Sequence, residues 1–243
     1  MARNSLIVNY ESVTLCKLAL ASAMYDSLTP FNKSLKRLND DTDNNIDLAN
    51  PEHHRSLLRW LNDWGCRHLA QDQHDVASES IRDWYRANGT TLFTDEKPLW
   101  ELEDHELEAA TWAYGTLKDM PGAQRVHGGR NLDICIGATA ASKILFAIRP
   151  KALMPWDEAM RISFECDGSH ESYARYLKII RNLTLHIGNL SSNKGFQIDE
   201  LPQKLGRPNS TVLALVNEYI WVTETRKVKL PSSKTLAQWA SLD

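Results

Sequence analysis

No stretch of about 18 consecutive apolar residues occurs in this 243-residue chain, so a membrane-spanning helix is not expected. Cysteine is scarce and dispersed: Cys16, Cys66, Cys135 and Cys166 form no C-x-x-C pair and no tight cluster with histidine. That spacing disfavours zinc and iron–sulfur sites and fits buried, reduced thiols, so neither a metal nor a cofactor is expected. His53-His54 and the pair His68 and His74 also lack a cysteine or carboxylate at ligand spacing. The opening Met1-Ala2-Arg3-Asn4-Ser5-Leu6 is too polar for a secretory signal, and a cytoplasmic location is expected. Repeats and low-complexity segments are missing too.

Charge of either sign is not in large excess. The net charge is −3, which alone argues against a nucleic-acid partner. Its distribution argues the other way. Residues 1–117 carry 11 basic and 19 acidic side chains, whereas residues 118–243 carry 17 and 12. Between 118 and 151, Lys118, Arg125, Arg130, Lys143, Arg149 and Lys151 face only Asp119 and Asp133. One side of such a molecule can hold a polyanion.

What is abundant is helical periodicity. Val13, Cys16, Leu20 and Met24 share a 3.6-residue face over 12–27. A short helix follows Pro30, and Pro51 opens a long one with Leu57, Leu58, Leu61, Trp64 and Leu69 inward. Residues 74–87 form another, stopped at Asn88-Gly89, and a helix capped by Asp104 follows. Gly122, Gly128 and Gly129 mark 121–131 as a loose connection. Further helices are expected at about 156–166, 171–187 and 209–222, with a short one from about 232. Tyr219 to Thr223 is β-branched and aromatic enough to suit a strand as well. The expected fold class is all-α.

Chemistry concentrates in Ile136 to Asp157, I-G-A-T-A-A-S-K-I-L-F-A-I-R-P-K-A-L-M-P-W-D. Gly137 permits a tight turn or close phosphate approach, and Ala138, Thr139 and Ser142 are small enough for a DNA backbone to come near. Lys143, Arg149, Lys151 and the earlier Arg130 add charge for phosphate contacts. Asp157 follows Pro155-Trp156 at an expected helix start, where an acid serves as an N-cap or as a catalytic carboxylate.

This stretch resembles the helix-hairpin-helix DNA glycosylase superfamily. Gly137 stands at the last glycine of that hairpin, Ala140-Ala141 and Leu145 on the helix after it, and Asp157 at the catalytic acid twenty residues on. Ile134 and Cys135 replace the hairpin's proline and first glycine, and Arg161 follows the acid by four residues where many members have five. Thr139 stands where bifunctional members carry the Schiff-base lysine.

The resemblance implies a two-lobed helical glycosylase-like fold with a helix-hairpin-helix element. Residues 1–243 form one compact unit, with about 50–150 as one lobe and the N-terminal helices plus about 151–243 as the other. It implies a monomeric, monofunctional enzyme acting on double-stranded DNA that contains a modified base. Asp157 is its catalytic residue, and Trp156 and Met154 line the base pocket. The missing lysine, iron–sulfur ligands and regular hairpin favour a defence role, against hypermodified cytosines such as glucosylated hydroxymethylcytosine in phage DNA.

Two alternatives stand beside it. Arg181 and His186, in R-N-L-T-L-H, resemble the R-x4-H motif of HEPN-type ribonucleases, where arginine binds phosphate and histidine shuttles a proton. A non-catalytic helical DNA-binding module would use Asp157 as a cap alone.

Overall fold

Local capping chemistry sets most element starts. In the computed structural model, which describes residues 10–69, 71, 74–94, 96–127 and 130–241, Thr14 Oγ1 accepts from Lys17 N at 3.3 Å and starts α1 (Leu15–Leu28). α2 (Phe31–Asp41) follows Pro30. Asn50 Oδ1 accepts from Glu52 N at 3.0 Å, and with Pro51 at the first helical position it starts α3 (Pro51–Asp63). α4 (His74–Asn88) ends at Asn88 and runs into a single 3-10 turn. α5 (Asp104–Lys118) begins with a capping box between Glu103 and Glu106, so the cap lies one residue before the expected Asp104.

The segment expected as a loose connection is an antiparallel hairpin, β1 (Pro121–His127) and β2 (Arg130–Cys135). Gly128 and Gly129, which contributed to that expectation, lie outside the described residues. The sequence does hold the hairpin signal: Leu132 and Ile134 alternate with polar residues, and two glycines separate the strands. At the root, a Cβ on Gly122 would meet Leu69 Cδ2 at 2.7 Å and the Ile136 backbone at 3.1 Å. Only glycine fits so close an approach, and the register shifts there between Pro121 and Ala123.

Helices α6 (Gly137–Ile148), α7 (Glu158–Ser163), α8 (His170–Ser192), α9 (Leu201–Lys204), α10 (Val212–Ile220) and α11 (Ser233–Ala240) complete the described elements. The stretch open to a strand, Tyr219 to Thr223, instead leaves α10 directly into a π-helical turn, Trp221–Thr225. Tyr219, Ile220 and Val222 are buried there, and burial on a helical face outweighs β-propensity. The molecule is mostly helical, with one two-stranded sheet among the described residues. No described helix is long and apolar enough to cross a membrane.

The chain divides into two compact units. One comprises Pro30–Trp156 and Gly168–Ala174. Its core joins Leu57, Leu58 and Leu61 of α3, Ile81 and Trp84 of α4, Leu107, Tyr114 and Leu117 of α5, and Ile144, Leu145 and Phe146 of α6. Burial of each such side chain contributes roughly 1.5–3 kcal/mol. Trp84 Nε1 donates to Ala113 O at 2.8 Å, and Trp64 Nε1 to Ser34 Oγ at 3.1 Å, so these indoles enter the core with their polar atoms satisfied. The other unit comprises Met1–Thr29, Asp157–Asp167 and Arg175–Asp243. Leu18, Ala21 and Tyr25 of α1, Tyr176, Leu177, Ile180, Leu183 and Ile187 of α8, and Leu213, Val216 and Ile220 of α10 are buried in it.

Candidate functional site

The turn before α6 is built by its neighbours. Gly137 has φ +79°, with open space where a Cβ would be, so the residue serves the backbone conformation. Ile136 N donates to Met120 O at 2.8 Å, and His68 Nε2 donates to Ile136 O at 2.8 Å. The element before the turn is β2, not a helix, so no helix-hairpin-helix forms and the expected element is corrected to strand–turn–helix. Ile134 and Cys135, where the family has its proline and first glycine, suit an extended strand.

Along α6, Gly137, Ala138 and Thr139 are half-buried and Ala140 is fully buried. Two expected phosphate contacts are overturned. Ser142 is completely buried; its hydroxyl donates to Thr139 O at 3.0 Å and accepts from Trp156 N at 3.2 Å. Lys143 is buried with Nζ donating to Trp64 O, and it lies 5.7 Å over the Trp64 ring. Every residue from Ala140 to Phe146 is buried, so α6 is covered on all sides past its first turn and takes both side chains with it.

Arg149 is bonded to backbone carbonyls, and Lys151 is in an exposed ion pair. Arg149 Nε donates to Phe93 O and Nη1 to Ile148 O, each at 2.7 Å, and Lys151 pairs with Glu96. Arg149, the C-cap of α6, is thereby tied to Phe93 and the end of its own helix, while Lys151 stays partly exposed in a surface ion pair. Arg130 does lie exposed, on β2.

The expected base pocket is also corrected. Trp156 is 1% exposed, its Nε1 donates to Ala138 O at 3.1 Å, and its ring meets Tyr114 and Tyr173 edge-on at 5.7 and 4.9 Å. Met154 is fully buried and its carbonyl accepts from Tyr173 Oη at 3.0 Å. Both are core residues. Of the other tryptophans, Trp112 is 61% exposed, beside His170, and Trp239 is 53% exposed.

Asp157 is half-buried and caps α7, its Oδ1 accepting from Met160 N at 2.7 Å. Its Oδ2 accepts from Thr225 Oγ1, also at 2.7 Å, out of the π-helical turn. The carboxylate is therefore gripped on both oxygens. Burial raises the Tyr176 phenol well above its usual range, and the charge of Asp157 then adds to the effect. Tyr25 is raised the same way, by burial first and by Glu218, Asp26 and Asp157 after it. Thr225 and these two phenols carry no motif signal, being distant in sequence.

His186, half of the rival motif, donates from Nε2 to Val13 O at 3.1 Å and meets Tyr10 edge-on at 5.8 Å. Arg181 is half-buried on the same helix. Other histidines are engaged in backbone or amide contacts: Asp47 N donates to His53 Nδ1, His54 donates to Leu48 O, and His74 meets Asn62 Nδ2. Among the described residues no group of three or more His, Cys, Asp or Glu side chains is placed to hold a metal. Cys66 and Cys166 are buried, and burial pushes both thiols up; Cys16 and Cys135 are exposed, against the expectation of buried thiols throughout. No protein-family model, no curated protein and no solved structure matches this chain.

Proposed function

We propose that the chain is a monofunctional DNA glycosylase in which Asp157 is the catalytic carboxylate. The observation that carries the reading is a half-buried carboxylate held at both oxygens, twenty residues after the positive-φ Gly137. The target nucleotide leaves the duplex stack so that its C1′ can be reached. As the base departs, positive charge develops on the sugar, and a carboxylate fixed beside C1′ stabilises it without reorganising. The same carboxylate orients the attacking water. Thr139 has no amine for a Schiff base, which leaves hydrolysis without strand scission.

Modified bases are the substrate class, with glucosylated hydroxymethylcytosine of phage DNA as the specific proposal. A non-catalytic DNA-binding module is the second reading, favoured by the bond from Met160 N, which a cap alone explains. The test is incubation with duplexes carrying assorted modified bases, followed by alkali to break abasic sites. Breaks that vanish in Asp157→Asn support the glycosylase, since asparagine retains the cap. Duplex binding with no abasic sites on any substrate leaves the module. Cleavage of phage DNA with repair-type substrates untouched supports the defence role, and the reverse pattern sinks it.

A further inference from the structure

We infer that one face of the β1–β2 hairpin, carrying Arg125, Arg130 and Leu132, is a surface that grips duplex DNA, an inference that rests on the proposed function. Arg125 pairs directly with Leu132, and Arg130 pairs with residue 127, two positions along, so all three point to the same side of the ribbon. Both arginines are exposed and Leu132 is 50% exposed. Among the described residues neither guanidinium has an ion-pair partner, and no acid of either strand shares this face. The one strand carboxylate, Asp133, lies on the opposite face, where it accepts from Gln124 Nε2 at 3.1 Å.

The root of the hairpin is fixed while its far part stands out. Ala123 is 2% exposed, Gly122 lies against the Ile136 backbone, and α4 packs on β1. Beyond that root Gln124, Arg125, Arg130, Leu132 and Asp133 are exposed. A two-stranded ribbon of this kind fits the B-DNA major groove, about 12 Å wide, whereas the deep, narrow groove of A-form RNA excludes it. Two guanidiniums on one side suit phosphates, and an exposed leucine between them suits a thymine methyl or sugar edge. With Ser142 and Lys143 buried, Arg149 bonded to backbone carbonyls and Lys151 neutralised by Glu96, Arg125 and Arg130 are the exposed cations of the basic segment that have no ion pair among the described residues.

The test is fluorescence anisotropy with an unmodified DNA duplex over a range of salt, alongside excision assays. Arg125→Ala/Arg130→Ala should weaken binding at least about tenfold and reduce the salt slope by about 2. Leu132→Ser should weaken binding with the slope unchanged. Lys33→Ala/Lys36→Ala on α2, removing the same charge from exposed positions, should change neither. Thermal melting checks that each variant is folded. A double arginine variant that binds with the wild-type affinity and slope overturns the inference, and continued excision by it leaves the glycosylase reading intact. An arginine-dependent slope in a wild-type protein that excises nothing upholds the hairpin and rejects the enzyme. Equal or tighter arginine-dependent binding to an RNA duplex overturns the assignment to DNA.

Discussion

Thr225 Oγ1 donates to Asp157 Oδ2 at 2.7 Å across 68 residues of sequence, and it does so from a π-helical turn. Such turns interrupt α-helices frequently at functional sites. With Met160 N on Oδ1, the bond leaves the carboxylate little rotational freedom. Thr225→Val keeps the shape and removes the donor. On the proposed glycosylase reading, it should lower the single-turnover excision rate about tenfold, the worth of one hydrogen bond, with duplex affinity unchanged. Thr225→Ser should restore most of that rate. Equal losses in both variants, or an affinity that falls in step with the rate, would show that Thr225 does not position the acid.

Glu218 is 2% exposed, and its charge is met by Arg207 Nη2 at 2.8 Å and by the Ser22 hydroxyl at 2.5 Å. Arg207 Nη1 also reaches Asp26 Oδ2 at 3.0 Å. Arg207→Ala leaves the buried Glu218 without its cation and should cost about 3–5 kcal/mol, whereas Glu218→Ala should cost less, because Arg207 is partly exposed and keeps Asp26. The double variant should cost clearly less than their sum, because it removes both charges. Urea denaturation of the three variants checks this, and additive losses would mean the ions act independently.

His54 is buried with Nε2 donating to Leu48 O at 2.6 Å. Burial is the main cause lowering its pKa, opposed by the Leu48 bond; Arg82 and His53 lower it further and Asp47 raises it. The folded state thus favours neutral imidazole, while the unfolded chain takes up a proton at about 6.5. Stability contributed by neutral His54 is complete above that pH and is lost as pH falls toward the folded-state pKa. Melting temperature should therefore decline from pH 7.5 to 5 more steeply in the wild type than in His54→Gln. Parallel curves would place the acid sensitivity elsewhere.

Lys143 Nζ donates to Trp64 O inside the core. Lys143→Met preserves the stem and leaves that carbonyl unpaired, at a cost of about 1–3 kcal/mol. Calorimetry should record the loss, and the salt slope for duplex binding should remain that of the wild type. A slope reduced by about 1 would return Lys143 to the phosphate contacts.

Much of the helical framework was legible because its determinants are local. Asn50-Pro51 starts α3 where the sequence places it, and Leu177, Ile180, Leu183 and Ile187 share the buried stripe of α8. The hairpin is hidden in the sequence because three glycines signal a loose connection, although Leu132 and Ile134 alternate with polar residues there. Asp157 was legible as a helix start, and its cap bond follows from that position.

The sequence by itself determined where the chain turns helical, where it caps, and that a glycine and an acid stand twenty residues apart, since backbone propensity and capping act over a few residues. Only the tertiary structure decided that α6 is covered all round past its first turn: Ser142 and Lys143 are buried with it, although their residue types suit a phosphate site. It also decided the partners of Asp157 and Glu218, supplied by Thr225 and by Ser22 and Arg207. A hydrogen bond needs its atoms within about 3 Å, and side chains distant along the chain meet that condition only after the helices have packed.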